Sequence, residues 1–505
     1  MTKTAAAQGT RLADIVRKQA GTAPDHIALV DESGSWTFAA FDVAIDQAAQ
    51  WLTSVGVRGG DRVLLVNENC RTLVALILAA GRIDAWAVIV NARLSEREIK
   101  TMREHCGARR TIYTTTVSDD ALAHAECEGA ETAMIPGVGE IALGPLADVV
   151  PEPVFASGAE QCAAMIYTTG TTGNPKGVML SHESILYVGN QTGKIRGMGP
   201  HDRVYCVLPV SHIFGLSSVL LGTLAAGATI ELAAKFSASD LDQALRTRLT
   251  VYQGVPAMHA RLLEYAEQHD ITLSAPHLRY TSAGGSPLDP DLKRRVEAAL
   301  GTYLHNGLGM TEAAPTIAVT RPIDEFDDIS CGPIIPGTEA RIVDPETKEH
   351  LPDAQVGELW IKGPGVMLGY YRNPEATAAV LDDEGWLNTG DLAHFDENRS
   401  LWVDGRSKEL IIRSGFNIYP PEVEAVINSH PDVVQSAVIG RSTSDGNEEV
   451  LAFVEVRPGS NPAPEDIIAF AAENLAPYKK PSELTILDRL PAGPTGKLLK
   501  HKLLA

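Results

Sequence analysis

Short apolar runs and helix-like stretches alternate from the start of the chain to about residue 330, and this rhythm leaves few folds open. Residues 63–66 form an apolar run followed by a helical stretch at 71–81. Residues 87–90 form another, followed by a helix around 96–105 and a strand-like run at 111–113. The pattern returns at 204–208, 229–232 and 251–252. Strands alternating with helices form mainly parallel sheets whose faces the helices cover. The expected fold class is therefore α/β.

From about residue 340 the texture changes. Residues 341–343, 357–361, 393–395 and 401–403 read as short strands with turns between them, a β-rich subdomain spanning about 335–403. The remaining segment reads as helix at 421–429, strands at 436–439 and 450–456, and helix at 465–474. That is the size of a small α+β domain. The boundary is placed where a strand ends in a Gly-containing turn, dividing 1–407 from 408–505. A chain of 505 residues can hold these units, and no internal repeat marks it as a solenoid.

The net charge of −21 argues against nucleic-acid binding, which needs a basic footprint. Cys70, Cys106, Cys127, Cys162, Cys206 and Cys331 include no CxxC pair, so they are read as idle thiols in a reducing compartment. Residues 1–11 lack the apolar core of a signal peptide. The uncharged stretch 213–230 is read as a buried helix running into a strand rather than a membrane span, because glycines, serines and threonines interrupt it. These features predict a cytoplasmic protein without a transmembrane segment. A homodimer is left open.

The most specific motif runs from Tyr167 through Thr168, Thr169, Gly170, Thr171, Thr172, Gly173, Asn174, Pro175 and Lys176 to Gly177. It follows an apolar strand at 163–166 and precedes a helix opening around Ser181, with Glu183 in the first turn. Its glycines allow a phosphate chain to approach the backbone, its threonines bring hydroxyl donors, and Lys176 brings a cation. It is not a Walker A loop, because Lys176 stands between Pro175 and Gly177.

This loop resembles the phosphate-binding signature of the adenylate-forming superfamily, which includes acyl- and aryl-CoA synthetases, stand-alone adenylation domains and beetle luciferases. Further motifs follow in that family's order from about Leu12 to the C-terminus. In the run from Asn306 through Gly307, Leu308, Gly309 and Met310, the resemblance sets Asn306 near adenine. It gives Thr311 a contact with the adenylate phosphate and makes Glu312 a ligand for Mg²⁺, a hard cation suited to carboxylate oxygen. Leu308 departs from the family, which usually has an aromatic residue covering adenine there. The run 281–288, with Gly284 and Gly285, resembles the loop against adenine and the acyl chain; alone it would be only a Gly-Pro turn.

The resemblance makes Asp391 the acceptor of the ribose hydroxyls, gives Arg406 a contact with ribose or phosphate, and sets Lys408 at the hinge between the two large domains. Lys497, in a Thr-Gly-Lys signature, matches the catalytic lysine of adenylation. Gly415 would lie in a loop that enters the site for the second half-reaction and admits pantetheine. His212 would border the acyl site and the thiol's approach, although a lone His before an apolar helix is more often structural.

The implied chemistry joins a carboxylate to the α-phosphorus of ATP, releasing pyrophosphate, and then passes the acyl group to coenzyme A. Both first partners are anions, so the work falls to positioned cations: Lys176, Lys497 and the ion on Glu312. The acyl pocket should be lined by 212–218, 252–256, 283–285 and 313–317, which contain no Arg or Lys. A dicarboxylate such as malonate would need a cation for its second charge. A fatty, alicyclic or aryl acid fits better. Rival readings are a stand-alone adenylation enzyme loading a carrier protein, monooxygenase chemistry on the adenylate, and a non-catalytic nucleotide-binding protein on the same fold.

Overall fold

A computed structural model describes residues 10–169, 175–322, 327–413, 416–443, 447–457, 459–493 and 498–503. Two large sheets dominate. In the first, Cys162–Thr169, Trp86–Asn91, Arg62–Asn67 and Ala108–Tyr113 lie parallel. Antiparallel strands extend it at both edges: Pro175–Ser181 and Gly369–Tyr370 on one side, Gly139–Leu143 and Glu131–Ile135 on the other. In the second, Leu304–His305, Tyr280–Ala283, Val251–Gly254, Arg203–Cys206, Thr229–Leu232 and Ile27–Asp31 run parallel, and Gly34–Thr37 closes the edge antiparallel.

The strands are apolar because they are buried on both faces. All six residues of Arg62–Asn67 are buried, and Arg62 is accommodated by donating to the carbonyls of Cys106, Gly60, Val150 and Gly107. The alternating rhythm read from sequence is the βα alternation of this region: helices occupy Arg71–Arg82 and Glu96–Cys106. Ser95 and Glu98 close a capping box on the second, and Gly107 ends it in the left-handed region.

One core cluster joins the two sheets and includes the segment expected to be a buried helix. Phe214–Leu221 is a π-helix that runs through the short α-helix Gly222–Ala225 into the strand Thr229–Leu232. Helix His182–Ile195 packs against it backbone to backbone. A Cβ on Gly193 would lie 3.0 Å from the Gly222 carbonyl oxygen, so only glycine lets the two helices approach this closely. Among the described residues no helix is long and apolar enough to cross a membrane.

His350–Leu351, Glu339–Val343, Gly357–Lys362, Leu387–Phe395 and Leu401–Arg406 form an antiparallel five-stranded sheet. Gly405 lies inside the last of these strands, not in the turn expected from sequence; the chain leaves the strand as a 3-10 turn at Ser407–Glu409. Beyond it, Val433–Ser442, Glu448–Val456 and Glu483–Leu487 make a three-stranded sheet with helices Pro420–Asn428 and Pro464–Asn474. This part has its own core, from Ile411 to Leu484. It meets the rest where Gly405 lies beneath Tyr419 and Pro421, the nearest atoms being 3.8 and 3.7 Å from the position of a Cβ.

Candidate active site

The described residues of the Gly-Thr motif lie on the two paired strands of a hairpin. Cys162–Thr169 and Pro175–Ser181 pair antiparallel, with Thr168 opposite Lys176. Sequence reading caught the first strand and the helix, whose N-cap Ser181 accepts from the Ser184 amide, but missed the strand between them. Its opening Pro-Lys-Gly looks like loop, and only Val178 and Leu180 announce burial. The hairpin fixes the direction of Lys176: its ammonium lies 4.7 Å from the centroid of the Tyr370 ring. Among the described residues Lys176 makes no salt bridge.

Tyr370 then reaches Glu312. Its hydroxyl donates to Glu312 Oε1 at 2.7 Å, with both side chains buried. The Glu312 carbonyl accepts from the Met367 amide, and the Leu368 and Tyr371 amides donate to the Met179 and Gly177 carbonyls. The segment 367–371 therefore straps the 3-10 turn Thr311–Ala313 to the hairpin. Burial first, and then the Glu312 charge, push the Tyr370 phenol up, so it stays a donor. Tyr370 was not singled out from sequence; a tyrosine two residues into an unremarkable strand carries no local signal.

Other predicted residues collect where parallel strands of the seven-stranded sheet end, the usual place for ligands in such sheets. Gly284 and Gly285 follow Tyr280–Ala283, and Asn306 follows Leu304–His305. Gly285 takes φ +82°. Gly307 and Gly309 press against the opposite strand Thr316–Val319: a Cβ would lie 2.9 Å from the Ala318 oxygen and 2.8 Å from the Pro315 oxygen. Leu308, between them, is half-buried opposite Ala318. The Asn306 amide nitrogen is committed to the Ile329 and Ser330 carbonyls, at 2.8 and 3.3 Å, so this side chain shapes the wall through its nitrogen.

Asp391 and Arg406 face each other across adjacent strands, with Arg406 Nε 2.6 Å from Asp391 Oδ1. Arg406 also donates to the Thr389 carbonyl at 3.5 Å. Cys331 joins this pair to the motif that opens at Asn306. Its sulfur is 3.9 Å from Asn306 Nδ2, and its thiol is pushed up to about 12, first by burial and then by the Asp391 charge. The two motifs, far apart in sequence, thus share one wall. Lys408 sits in the 3-10 turn, whose Ser407 hydroxyl donates to Glu358 at 3.2 Å.

The family model described as "AMP-binding enzyme" matches residues 16–371, and the one described as "AMP-binding enzyme C-terminal domain" matches 422–497. The chain belongs to the AMP-binding enzyme family. It is an AMP-forming ligase of the adenylate-forming superfamily, in the acyl-CoA synthetase group. It is 31% identical to 4-coumarate–CoA ligase 3 of Oryza sativa subsp. japonica, covering 93% of this chain and 87% of that one. Among solved structures it resembles ATP-bound MatB from Rhodopseudomonas palustris, with TM-score 0.85, 28% identity and 98% of each chain covered. It also resembles O-succinylbenzoate coenzyme A synthetase from Bacillus subtilis in complex with ATP and magnesium ion, with TM-score 0.83, 28% identity, and 97% and 99% covered.

In this AMP-binding enzyme the residues expected on the acyl side gather at the π-helix. His212 precedes it, and its Nδ1 accepts from the Phe214 amide at 3.3 Å. The Phe214 ring lies over Gly284: its Cε1 is 3.1 Å from where a Cβ would stand. Ser218 and Thr316 pair through their hydroxyls at 2.8 Å, joining the π-helix to the segment after Glu312. Of the residues expected from sequence, Gly170, Thr171, Thr172, Gly173, Gly415 and Lys497 lie outside the described residues, and of Thr169 only its place at the strand end is described.

Proposed function

We propose that this enzyme condenses an uncharged fatty, alicyclic or aryl carboxylic acid with ATP and then transfers the acyl group to coenzyme A. The observation that carries the reading is the chain Lys176–Tyr370–Glu312, which sets a cation and a hydrogen-bonded carboxylate side by side at the phosphate hairpin. Glu312 fits Mg²⁺ as a single hard oxygen ligand, since that ion keeps waters and phosphate oxygens for most of its shell. When bound, the ion offsets charge on the phosphates. Lys176 binds the outer phosphate oxygens, and Thr311 the phosphate of the adenylate. Asp391, held by Arg406, accepts from the ribose hydroxyls. Gly284, Gly285, Asn306 and Leu308 border the base.

Lys497 brings positive charge to the reacting carboxylate. The separate core of the C-terminal unit supports a division at 407/408, with the unit turning about Lys408 between half-reactions to exchange Lys497 for the Gly415 loop. His212 flanks the thiol's path. The absence of Arg and Lys from 212–218, 252–256, 283–285 and 313–317 supports an uncharged acyl group, because a second carboxylate there would be buried without a counter-charge.

The test is pyrophosphate release with ATP, Mg²⁺ and a panel of fatty and aromatic acids, with and without coenzyme A, for the wild type and Lys497→Ala. Acid-dependent release, at least about 100-fold lower in the variant, with thioester formed only when coenzyme A is present, is the expected result. Adenylate without thioester would move the acceptor to a carrier protein. No release with any acid would overturn the reading.

A further inference from the structure

Gln253 is fully buried, and neither its amide nitrogen nor its amide oxygen has a hydrogen-bond partner. Ser282, its register partner on the adjacent parallel strand, is 3% exposed with an equally unpartnered hydroxyl. Buried polar atoms are almost always paired, because leaving one unpaired costs about 1–3 kcal/mol. A primary amide and a hydroxyl side by side, both unserved, are therefore a strong signal.

The strands fix which way these groups face. Side chains alternate along a strand, and in-register residues of parallel neighbours share a face. Val251 and Tyr280, two residues before Gln253 and Ser282, pack in the core that contains Leu216, Val219 and Leu220 of the π-helix. Tyr252 and Ala283 belong to the core on the other side of the sheet. Gln253 and Ser282 thus face the π-helix. Gly284, two residues beyond Ser282 on the same face, is the glycine covered by Phe214. Nearby, Ser218 pairs with Thr316 and Ser217 donates to the Ile185 carbonyl, whereas the Tyr280 hydroxyl, on the face of Ser282, is also buried without a partner.

We infer that Gln253 and Ser282 form a polar subsite deep in the acyl pocket, which receives a neutral hydroxyl or amide group carried by the acid at a distance from its carboxylate. An amide offers both donors and an acceptor, and a hydroxyl likewise donates and accepts, so one hydroxyl on the acid can satisfy both side chains. Both members of the pair are neutral, which suits a neutral partner, and Arg196, over the Tyr280 ring at 5.7 Å, donates to the Ser218 carbonyl at 2.8 Å. The inference rests on the acid-activating reading above and narrows it: the preferred acid is apolar along its body and hydrogen-bonding at its far end.

The experiment compares matched acids by pyrophosphate release in the full-length enzyme: para-hydroxycinnamate against cinnamate, para-hydroxybenzoate against benzoate, and a terminally hydroxylated octanoate against octanoate. In at least one pair the hydroxylated acid should lead in kcat/KM by about 10- to 100-fold, since a site built for a hydroxyl rejects an analogue lacking it. Gln253→Leu and Ser282→Ala should each bring that ratio close to one. A structural role for the amide would instead lower the unfolding temperature of Gln253→Leu and leave the ratio standing. Ratios near one in every pair of the wild type, with release intact, would overturn the inference alone and assign the amide to ordered water. Release with none of these or any other acids overturns the acid-activating reading, and this inference with it.

Discussion

The Tyr370 hydroxyl donates to Glu312 Oε1 at 2.7 Å while the face of the same ring lies 4.7 Å from the Lys176 ammonium. One side chain therefore holds the carboxylate and the cation at a fixed separation. The tie is backed by main chain, since Gly369–Tyr370 pairs with Met179 and Val178 of the hairpin strand. Lys176 and the turn carrying Glu312 cannot drift apart without breaking this pairing.

Tyr370→Phe keeps the ring under Lys176 and removes only the donor to Glu312. Hydrogen bonds to charged groups contribute about 1.5–3 kcal/mol, so kcat/KM for ATP should fall about 10- to 100-fold. Raising the Mg²⁺ concentration should recover part of the loss, because the displaced carboxylate is a weakened ligand rather than an absent one. Tyr370→Leu, which also removes the ring, should lose more. Pyrophosphate release titrated against Mg²⁺ distinguishes the two. A Phe variant with wild-type Mg²⁺ dependence would show that the bond has no part in metal binding.

Gly284→Ala probes the proposed acyl pocket. The backbone there does not require glycine, but the new Cβ would stand 3.1 Å from Phe214 Cε1, so the ring must give by a few tenths of an ångström. Whatever space the ring borders should shrink. Aromatic acids should lose about 10-fold in kcat/KM relative to short linear ones, since one methyl in a pocket is worth about 1–3 kcal/mol. An unchanged aryl-to-linear ratio would place the acyl group elsewhere.

Acid should unfold this protein through its buried histidines. Burial lowers His182 to about 3, and His259 and His305 to about 4, from an ordinary value of 6.5. The folded state keeps these rings neutral while the unfolded chain takes up protons below 6.5. Their contribution is thus complete above pH 6.5 and is lost as pH falls toward 4, and toward 3 for His182. Each fully divergent histidine costs about 1.4 kcal/mol per pH unit in that window. Urea midpoints should drop steeply from pH 7 to pH 5, and His259→Gln should flatten the slope by about one proton. A slope unchanged in that variant would show that His259 is accessible enough to titrate in the folded state.

The parts of the fold that were legible in sequence are those whose signal is local. The strands near 63–66 and 87–90 and the helices near 71–81 and 96–105 announce themselves by short apolar runs and a capping serine, and the structure places them within a few residues. The strand Pro175–Ser181 was missed because its first three residues have loop chemistry. Phe214–Leu221 is uncharged and buried on nearly every side, so the sequence reveals burial but cannot tell π from α. Motif order singled out Glu312, Asp391 and Arg406, and the structure puts a partner beside each: Tyr370 by Glu312, and Asp391 and Arg406 by each other. Tyr370 and Cys331 were invisible because their importance lies in partners far away in the chain, Glu312 and Asp391; Gln253 fell within the run 252–256 expected to line the acyl pocket, but nothing local marks its amide as unpartnered.

The pairing of Gly369–Tyr370 with Pro175–Ser181 also dates the assembly of the site during synthesis. A nascent chain that ends before residue 369 already contains the whole Gly-Thr loop and the Glu312 turn, yet lacks the edge strand that ties them. Long-range closures of this kind are the slow steps of folding. A ribosome-bound chain of that length should therefore fold its parallel sheets without gaining nucleotide affinity, and competence should arrive only once the edge strand and then Asp391 and Arg406 have cleared the exit tunnel.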